Sequence, residues 1–182
     1  LYDNTLLVPG SATKAGEEWY FTVKPVDGFD SGVPVPSNKV YVSNNPPIAS
    51  SLNILPVNPL TTDDLVASYV YTDPEGDPEM GSKVVWYKNS VAQTKYNDKL
   101  IVPSEATAKN QVWYFTVQPK DGKQFGAIQQ SNFVIIKNTP PRAENLKISP
   151  PYPLAKDDLV MSYDYVDMDG DIEMRSEIRW YR

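Results

Sequence analysis

Apolar residues recur at every second position in several short stretches of this chain. Between 19 and 23, Trp19, Phe21 and Val23 alternate with Tyr20 and Thr22; within 112–119, Trp113, Phe115 and Val117 alternate with Tyr114, Thr116 and Gln118. A period of two marks a strand with one face buried, because successive side chains of extended backbone point to opposite faces. Leu65, Ala67, Tyr69 and Tyr71 share one face of a further strand, and Leu52 with Ile54 one face of another. Short apolar runs at 6–9, 39–42, 83–88, 91–95, 99–102 and 132–137 predict the remaining strands. Asp27-Gly28, Asn89-Ser90 and the acidic segment 73–79 supply turns between them, with glycine accepting the positive φ that such turns need. No window carries a helical period, and 17 prolines oppose one. The expected fold is all-β: an antiparallel sandwich of about seven short strands per unit.

The pattern is written twice. Glu18-Trp19-Tyr20-Phe21-Thr22-Val23 returns as Val112-Trp113-Tyr114-Phe115-Thr116-Val117, and Trp113 minus Trp19 is 94. The same displacement of 94 carries Asn45-Pro46-Pro47 to Thr139-Pro140-Pro141, Asp63-Asp64-Leu65 to Asp157-Asp158-Leu159, and Trp86-Tyr87 to Trp180-Tyr181. A regular repeat sets the architecture before any local reading does. The two Pro-Pro pairs make short, stiff junctions, since proline gives no ladder hydrogen bond and biases its predecessor toward extended backbone. The predicted organisation is tandem repeats with a 94-residue period: 1–45 as the C-terminal half of one sandwich, 46–139 as a complete one, 140–182 as the N-terminal half of the next.

Leu1 aligns with Lys95 and Arg182 with Lys88, so the chain is six residues short of two periods (188 − 182), the six matching a hairpin at 89–94. Either this is a window from a longer tandem array, or half-sandwiches are completed between subunits by strand exchange. The window is the preferred reading, because an exposed hairpin is an easy place for a break. Both readings give a linear polymer of sandwiches. Strand lengths near seven residues at about 3.3 Å each imply an axial step of roughly 35–45 Å per unit once loops are added.

Composition narrows the function. A net charge of −6 argues against nucleic acid or an anionic membrane surface as partner, and no apolar run reaches the roughly 20 residues of a helical membrane span. The chain has no cysteine and no histidine. That excludes disulfides and thiolate metal sites, and removes the commonest general base and the side chain that titrates near neutrality. No Asn-X-Ser/Thr acceptor is present. An enzyme is not expected.

Trp86-Tyr87-Lys88, together with an aromatic strand running from Trp113 to Asp121-Gly122 ahead of Thr139-Pro140-Pro141, resembles immunoglobulin-like and fibronectin-type-III-like modules. The likeness is strongest to tandem repeats of long bacterial and archaeal surface proteins and covers all 182 residues. Trp86 and Trp180 match the core tryptophan of immunoglobulin domains, while the paired cysteines are missing. The resemblance implies extracellular or cell-surface scaffolds, stalks, adhesins or filaments rather than one activity.

The candidate chemistry lies in the acidic turns. Asp73, Glu75, Asp77 and Glu79 fall at alternate positions around Gly76, and they return as Asp167, Asp169, Asp171 and Glu173 around Gly170. Closely spaced carboxylates with a glycine bend suit Ca²⁺, which takes about 6–8 oxygen ligands; the spacing is not that of an EF-hand. The plainer alternative is a solvated turn whose charge keeps a sheet edge soluble. Trp19, Trp86, Trp113 and Trp180 could stack on sugars, but their alternating positions favour core packing. Tyr20, Tyr87 and Tyr114 should face outward or toward a neighbour. Asp63-Asp64 and Asp157-Asp158 read as turn residues. The expected function is structural: an extracellular filament, stalk or sheath whose partner is itself and which requires no cofactor beyond possible Ca²⁺. The alternatives are an adhesin or carbohydrate-binding array, or accessory repeats of a large secreted protein.

Overall fold

The computed structural model describes residues 2–182. The strands are β1 (Glu18–Trp19), β2 (Thr22–Val23), β3 (Val35–Pro36), β4 (Val40–Tyr41), β5 (Ile48–Leu55), β6 (Leu65–Thr72), β7 (Lys83–Lys88), β8 (Val91–Ala92), β9 (Ile101–Val102), β10 (Val112–Gln118), β11 (Gln129–Gln130), β12 (Val134–Ile135), β13 (Arg142–Ser149) and β14 (Val160–Val166). The only helical pieces among the described residues are single 3₁₀ turns at Gly10–Ala12, Thr94–Tyr96 and Ser104–Ala106. The protein is all-β. A three-stranded sheet runs β5-β6-β9; a five-stranded sheet runs β11-β10-β7-β8, with β12 also paired to β10; β1-β4, β2-β3 and β13-β14 are two-stranded.

The chain divides into two compact units, one built from residues up to Ser50 with Tyr69–Lys83 and Val117–Gln129, the other from Ser51–Ser68, Val84–Thr116 and Gln130–Arg182. The second contains the aromatic core. Along β10 burial alternates as the sequence predicts, with Trp113, Phe115 and Val117 inaccessible and the residues between them half-buried. Trp86 of β7 lies 5.2 Å from Phe115 and 6.4 Å from Trp113, centroid to centroid, the latter edge-on. Leu65 of β6 pairs with Val102 of β9, and both are fully buried. Large aromatics meeting edge-to-face add to the area they bury.

Polar groups tie the two sheets together over this core. The Trp86 indole N–H donates to the carbonyl of Lys99 at 2.9 Å, and the Ile54 amide donates to the Asn132 side-chain oxygen at 3.1 Å. Ser131, buried beside β10, accepts from the Phe115 amide through Oγ and donates its own amide to the Phe115 carbonyl. On the outer face Tyr87 and Tyr114 stack at 4.7 Å with rings 2° from parallel, and Phe133 packs edge-on against Tyr114. The outward tyrosines expected from their phase are therefore outward, half-covered by one another.

Several strands differ from expectation, each for want of a partner. Residues 6–9 form no strand, whereas the equivalent 101–102 are held as β9 by pairing with β6. The run 19–23 breaks into β1 and β2, which pair only with β4 and β3, while β10 has strands on both sides. Residues 167–182 carry no strand, although their counterpart β7 is a six-residue strand between β10 and β8. In β5, Ser51 takes φ = 52°, and Asn145 in β13 takes φ = 53°. The bulge brings Ala49 inward as well as Ile54 and half-buries Leu52, because an extra residue shifts the alternation by one.

The Trp pair separates core from surface. Trp113→Ala should cost about 3–5 kcal/mol in urea unfolding, as for a large aromatic deleted from a closed core. Trp180→Ala, at a side chain 52% exposed, should stay within about 0.5 kcal/mol. Similar losses at the two positions would be inconsistent with this packing.

Candidate functional site

The acidic turns are built by their first aspartate. Asp73 Oδ1 accepts from the amides of Glu75 and Asp77 at 2.9 and 3.0 Å, and Asp167 Oδ1 accepts from those of Asp169 and Asp171 at 2.8 and 3.0 Å. Gly76 and Gly170 close the two turns at φ = 79° and 74°, a region costly for any residue with a Cβ. The other oxygen of each aspartate, Oδ2, is buried with no hydrogen-bond partner.

The remaining carboxylates point to different places. Glu79 accepts the Tyr69 hydroxyl at 2.7 Å and Glu173 accepts the Tyr163 hydroxyl, so both glutamates lie back along their own strands. Burial, and then the Glu79 carboxylate, push the Tyr69 hydroxyl well above the ordinary tyrosine range. Asp77 pairs with Lys123 at 2.5 Å and Asp171 with Lys109; its hydrogen bond to Asp171 raises the Lys109 ammonium.

The third position reaches the diproline junction. Glu75 Oε1 accepts from both the amide (3.1 Å) and the side-chain amide (2.7 Å) of Asn45. Asp169 Oδ2 accepts from the amide of Thr139 at 2.8 Å, and its Oδ1 accepts from the Thr61 hydroxyl. Asn45 and Thr139 each stand immediately before a Pro-Pro pair, and both donor and acceptor move by 94 residues between the two cases. Each acidic turn thus holds the last residue before a stiff junction. Charged acceptors on backbone amides make the stronger class of hydrogen bond.

Among the described residues, the eight predicted ligands give one convergent group: single carboxylate oxygens of Asp167, Asp169 and Asp171 lie within 4.8 Å of one another. These are hard oxygen donors of the kind a divalent cation takes, with Lys109 already compensating one of them.

Asp121, noted above only as part of Asp121-Gly122 at the end of an aromatic strand, is tied to the segment ahead of the first Pro-Pro pair. It is 5% exposed; its Oδ1 accepts from the amides of Lys123 and Gln124 at 2.7 and 2.6 Å, and its Oδ2 from the Asn44 side chain at 2.6 Å. These bonds, the Gln124 amide first, hold its pKa at about 2, against 3.8 ordinarily. Beside it Gly126 leaves no room for a side chain, since a Cβ there would stand 1.9 Å from the Pro47 carbonyl oxygen. The sequence signal that could have found this site is the adjacency of Asn44-Asn45 to Pro46-Pro47; hydrogen-bonding side chains before a junction have backbone to hold.

The other candidates resolve simply. Trp86 and Trp113 are core, Trp19 is half-buried and Trp180 half-exposed, so no flat row of tryptophans is presented. Asp63 and Asp157 accept the amides of Leu60 and Leu154 at 2.8 and 2.7 Å, as turn residues do. Among the described residues no helix is long and apolar enough to cross a membrane.

No family model and no curated protein matches the chain. Among solved structures, the crystal structure of the chicken CNTN1 FN1–FN3 domains is similar at a TM-score of 0.41 and 12% identity, over 82% of this chain and 53% of that one. The chain thus spans about half the length of that structure. The class that its own sheets define is an all-β protein of short antiparallel strands around an aromatic core.

The depressed pKa of Asp121 makes a signed prediction. A group with a lowered folded pKa stabilises above its unfolded value and loses that contribution as pH falls through the folded one. The melting-temperature gap between the wild type and Asp121→Asn should be full well above pH 4 and fall away as pH drops through about 2. A gap independent of pH would refute the role given to the charge.

Proposed function

We propose that the protein is a structural element of an extracellular filament, stalk or sheath, built from tandem sandwich repeats of 94 residues divided as 1–45, 46–139 and 140–182. One observation carries the reading: Glu75 and Asp169, 94 residues apart, both spend their carboxylates on the residue preceding a Pro-Pro pair. A surface evolved to bind a foreign ligand would leave such charges facing solvent; here they fix the joint between successive repeats. Other bonds repeat at the same displacement of 94, including Tyr69–Glu79 with Tyr163–Glu173 and Trp19–Glu17 with Trp113–Gln111. Identical joints between identical blocks propagate one geometry along a line. In this role the chain works by shape, performs no catalysis, and has itself as partner.

Electron micrographs of the assembled protein should show filaments with an axial periodicity of roughly 35–45 Å, from the strand rise and loop lengths. Discrete particles that bind a glycan array would instead favour the adhesin alternative.

A second reading of the turns, as divalent-cation clamps on the joints, is favoured by the buried and unpartnered Oδ2 atoms of Asp73 and Asp167. A carboxylate oxygen sequestered from water without a partner is costly, and Ca²⁺ would compensate it while drawing in Asp169 and Asp171. Calcium at about a hundred times its dissociation constant should stabilise the fold by about 2.7 kcal/mol, measured as a rise in melting temperature over chelator. Superimposable melts in calcium and chelator reject the clamp.

A further inference from the structure

The chain carries 12 tyrosines. Among the described residues only Tyr87 of β7 and Tyr114 of β10 stand ring against ring, with centroids 4.7 Å apart and planes 2° from parallel. That separation is near the short end of the roughly 4.5–7 Å over which aromatic rings pack. The backbone sets the pairing. The Asn89 amide donates to the Val112 carbonyl at 2.8 Å and the Val112 amide to Asn89 Oδ1 at 2.9 Å, so residues 89 and 112 lie opposite each other. Two residues back on β7 and two forward on β10, Tyr87 faces Tyr114 on one side of the sheet.

The pair is also held from behind and from one side. Trp86, Trp113 and Phe115, chain neighbours of the two tyrosines, are inaccessible in the core, which fixes both strands beneath the rings. Phe133 packs edge-on against Tyr114 at 4.8 Å. Tyr69 and Tyr163 commit their hydroxyls to Glu79 and Glu173. The two stacked rings instead lie half-buried on the outer face of the five-stranded sheet, within reach of a soluble oxidant.

We propose that Tyr87 and Tyr114 are the site of an oxidative cross-link, in which a peroxide, acting through a one-electron oxidant of the haem-peroxidase class, joins the two rings by a carbon–carbon bond. Each phenol gives up one electron and its hydroxyl proton, leaving a radical shared with the ring carbons beside the oxygen. Two such carbons, one from each ring, combine. Each then passes its hydrogen to its own ring's oxygen, restoring both aromatic rings and both hydroxyls. Two ring C–H bonds are lost and one C–C bond is gained, while two electrons and two protons reduce the peroxide. Well-oriented intramolecular partners reach effective concentrations of about 10⁵ M and above. The pair therefore reacts ahead of Tyr152, which is 90% exposed but stacks on no other tyrosine. The product staples β7 to β10 in a chain with no cysteine to do so, closing a loop over 88–113.

The test treats the dilute 182-residue protein with hydrogen peroxide and a haem peroxidase, digests it with trypsin and weighs the peptides. The expected product is peptide 84–88 joined to peptide 110–120, lighter than their sum by two hydrogens and fluorescent as a biphenol. The joined protein should remain monomeric and unfold at a higher urea concentration than the untreated one, since its unfolded chain carries a closed loop. Tyr87→Phe and Tyr114→Phe keep the rings and remove one hydroxyl each, so both should fold as the wild type does and give none of the joined peptide. Wild type oxidised in urea, with the stack undone, should scatter its links over many tyrosines. Absence of the joined peptide under conditions that couple free tyrosine overturns the inference, as does the same peptide formed equally well in urea. Links that run mainly between molecules or through Tyr152 overturn it too, and a joined protein with an unchanged urea midpoint overturns the stapling role.

Discussion

Trp86 of β7 is enclosed by Trp113 and Phe115 of β10, and its only polar atom is satisfied by the Lys99 carbonyl ahead of β9. That one side chain therefore engages its own sheet by packing and the facing sheet by a hydrogen bond. A chain without disulfides has no covalent staple between its layers, so burial of large aromatics must supply what a cross-link supplies elsewhere. The cluster also explains why β7 and β10 are among the longest strands of their sheet: each has a partner on both edges and a closed apolar face. The equivalent run at 19–23, with a partner on one edge only, breaks into two two-residue strands.

The acidic turns work by a different economy. Their first aspartates organise the loop and their last glutamates return to tyrosines on their own strands, leaving the middle carboxylates free to reach outward. Those reach the residue before each Pro-Pro pair. Proline has no amide hydrogen to give, so the residue ahead of the pair is the last place where the backbone can be held by its own N–H. Asp121, Asn44 and the side-chain-free position at Gly126 tighten the first of these joints further.

Phe21, Val23 and Val40, and likewise Ile148, Ile178 and Trp180, are all exposed. Apolar surface of this kind is costly in water and directs association.

The alternation at 112–118 determined by itself which residues of β10 are core, because a period of two leaves only the choice of face and the tryptophan makes that choice. The displacement of 94 likewise announced that every local device would appear twice, and turns such as Asp63 and Asp157 followed from residue type alone. Strand existence at 6–9 and 176–182 did not, since a ladder needs a neighbour and pairing is a property of two segments. Nor could spacing along the chain say that Glu75 and Asp169 would leave their turns for Asn45 and Thr139, while Asp167, Asp169 and Asp171 drew together. Propensity and pattern act within a few residues; the partner of a carboxylate 30 residues away is decided only when the chain has folded back upon itself.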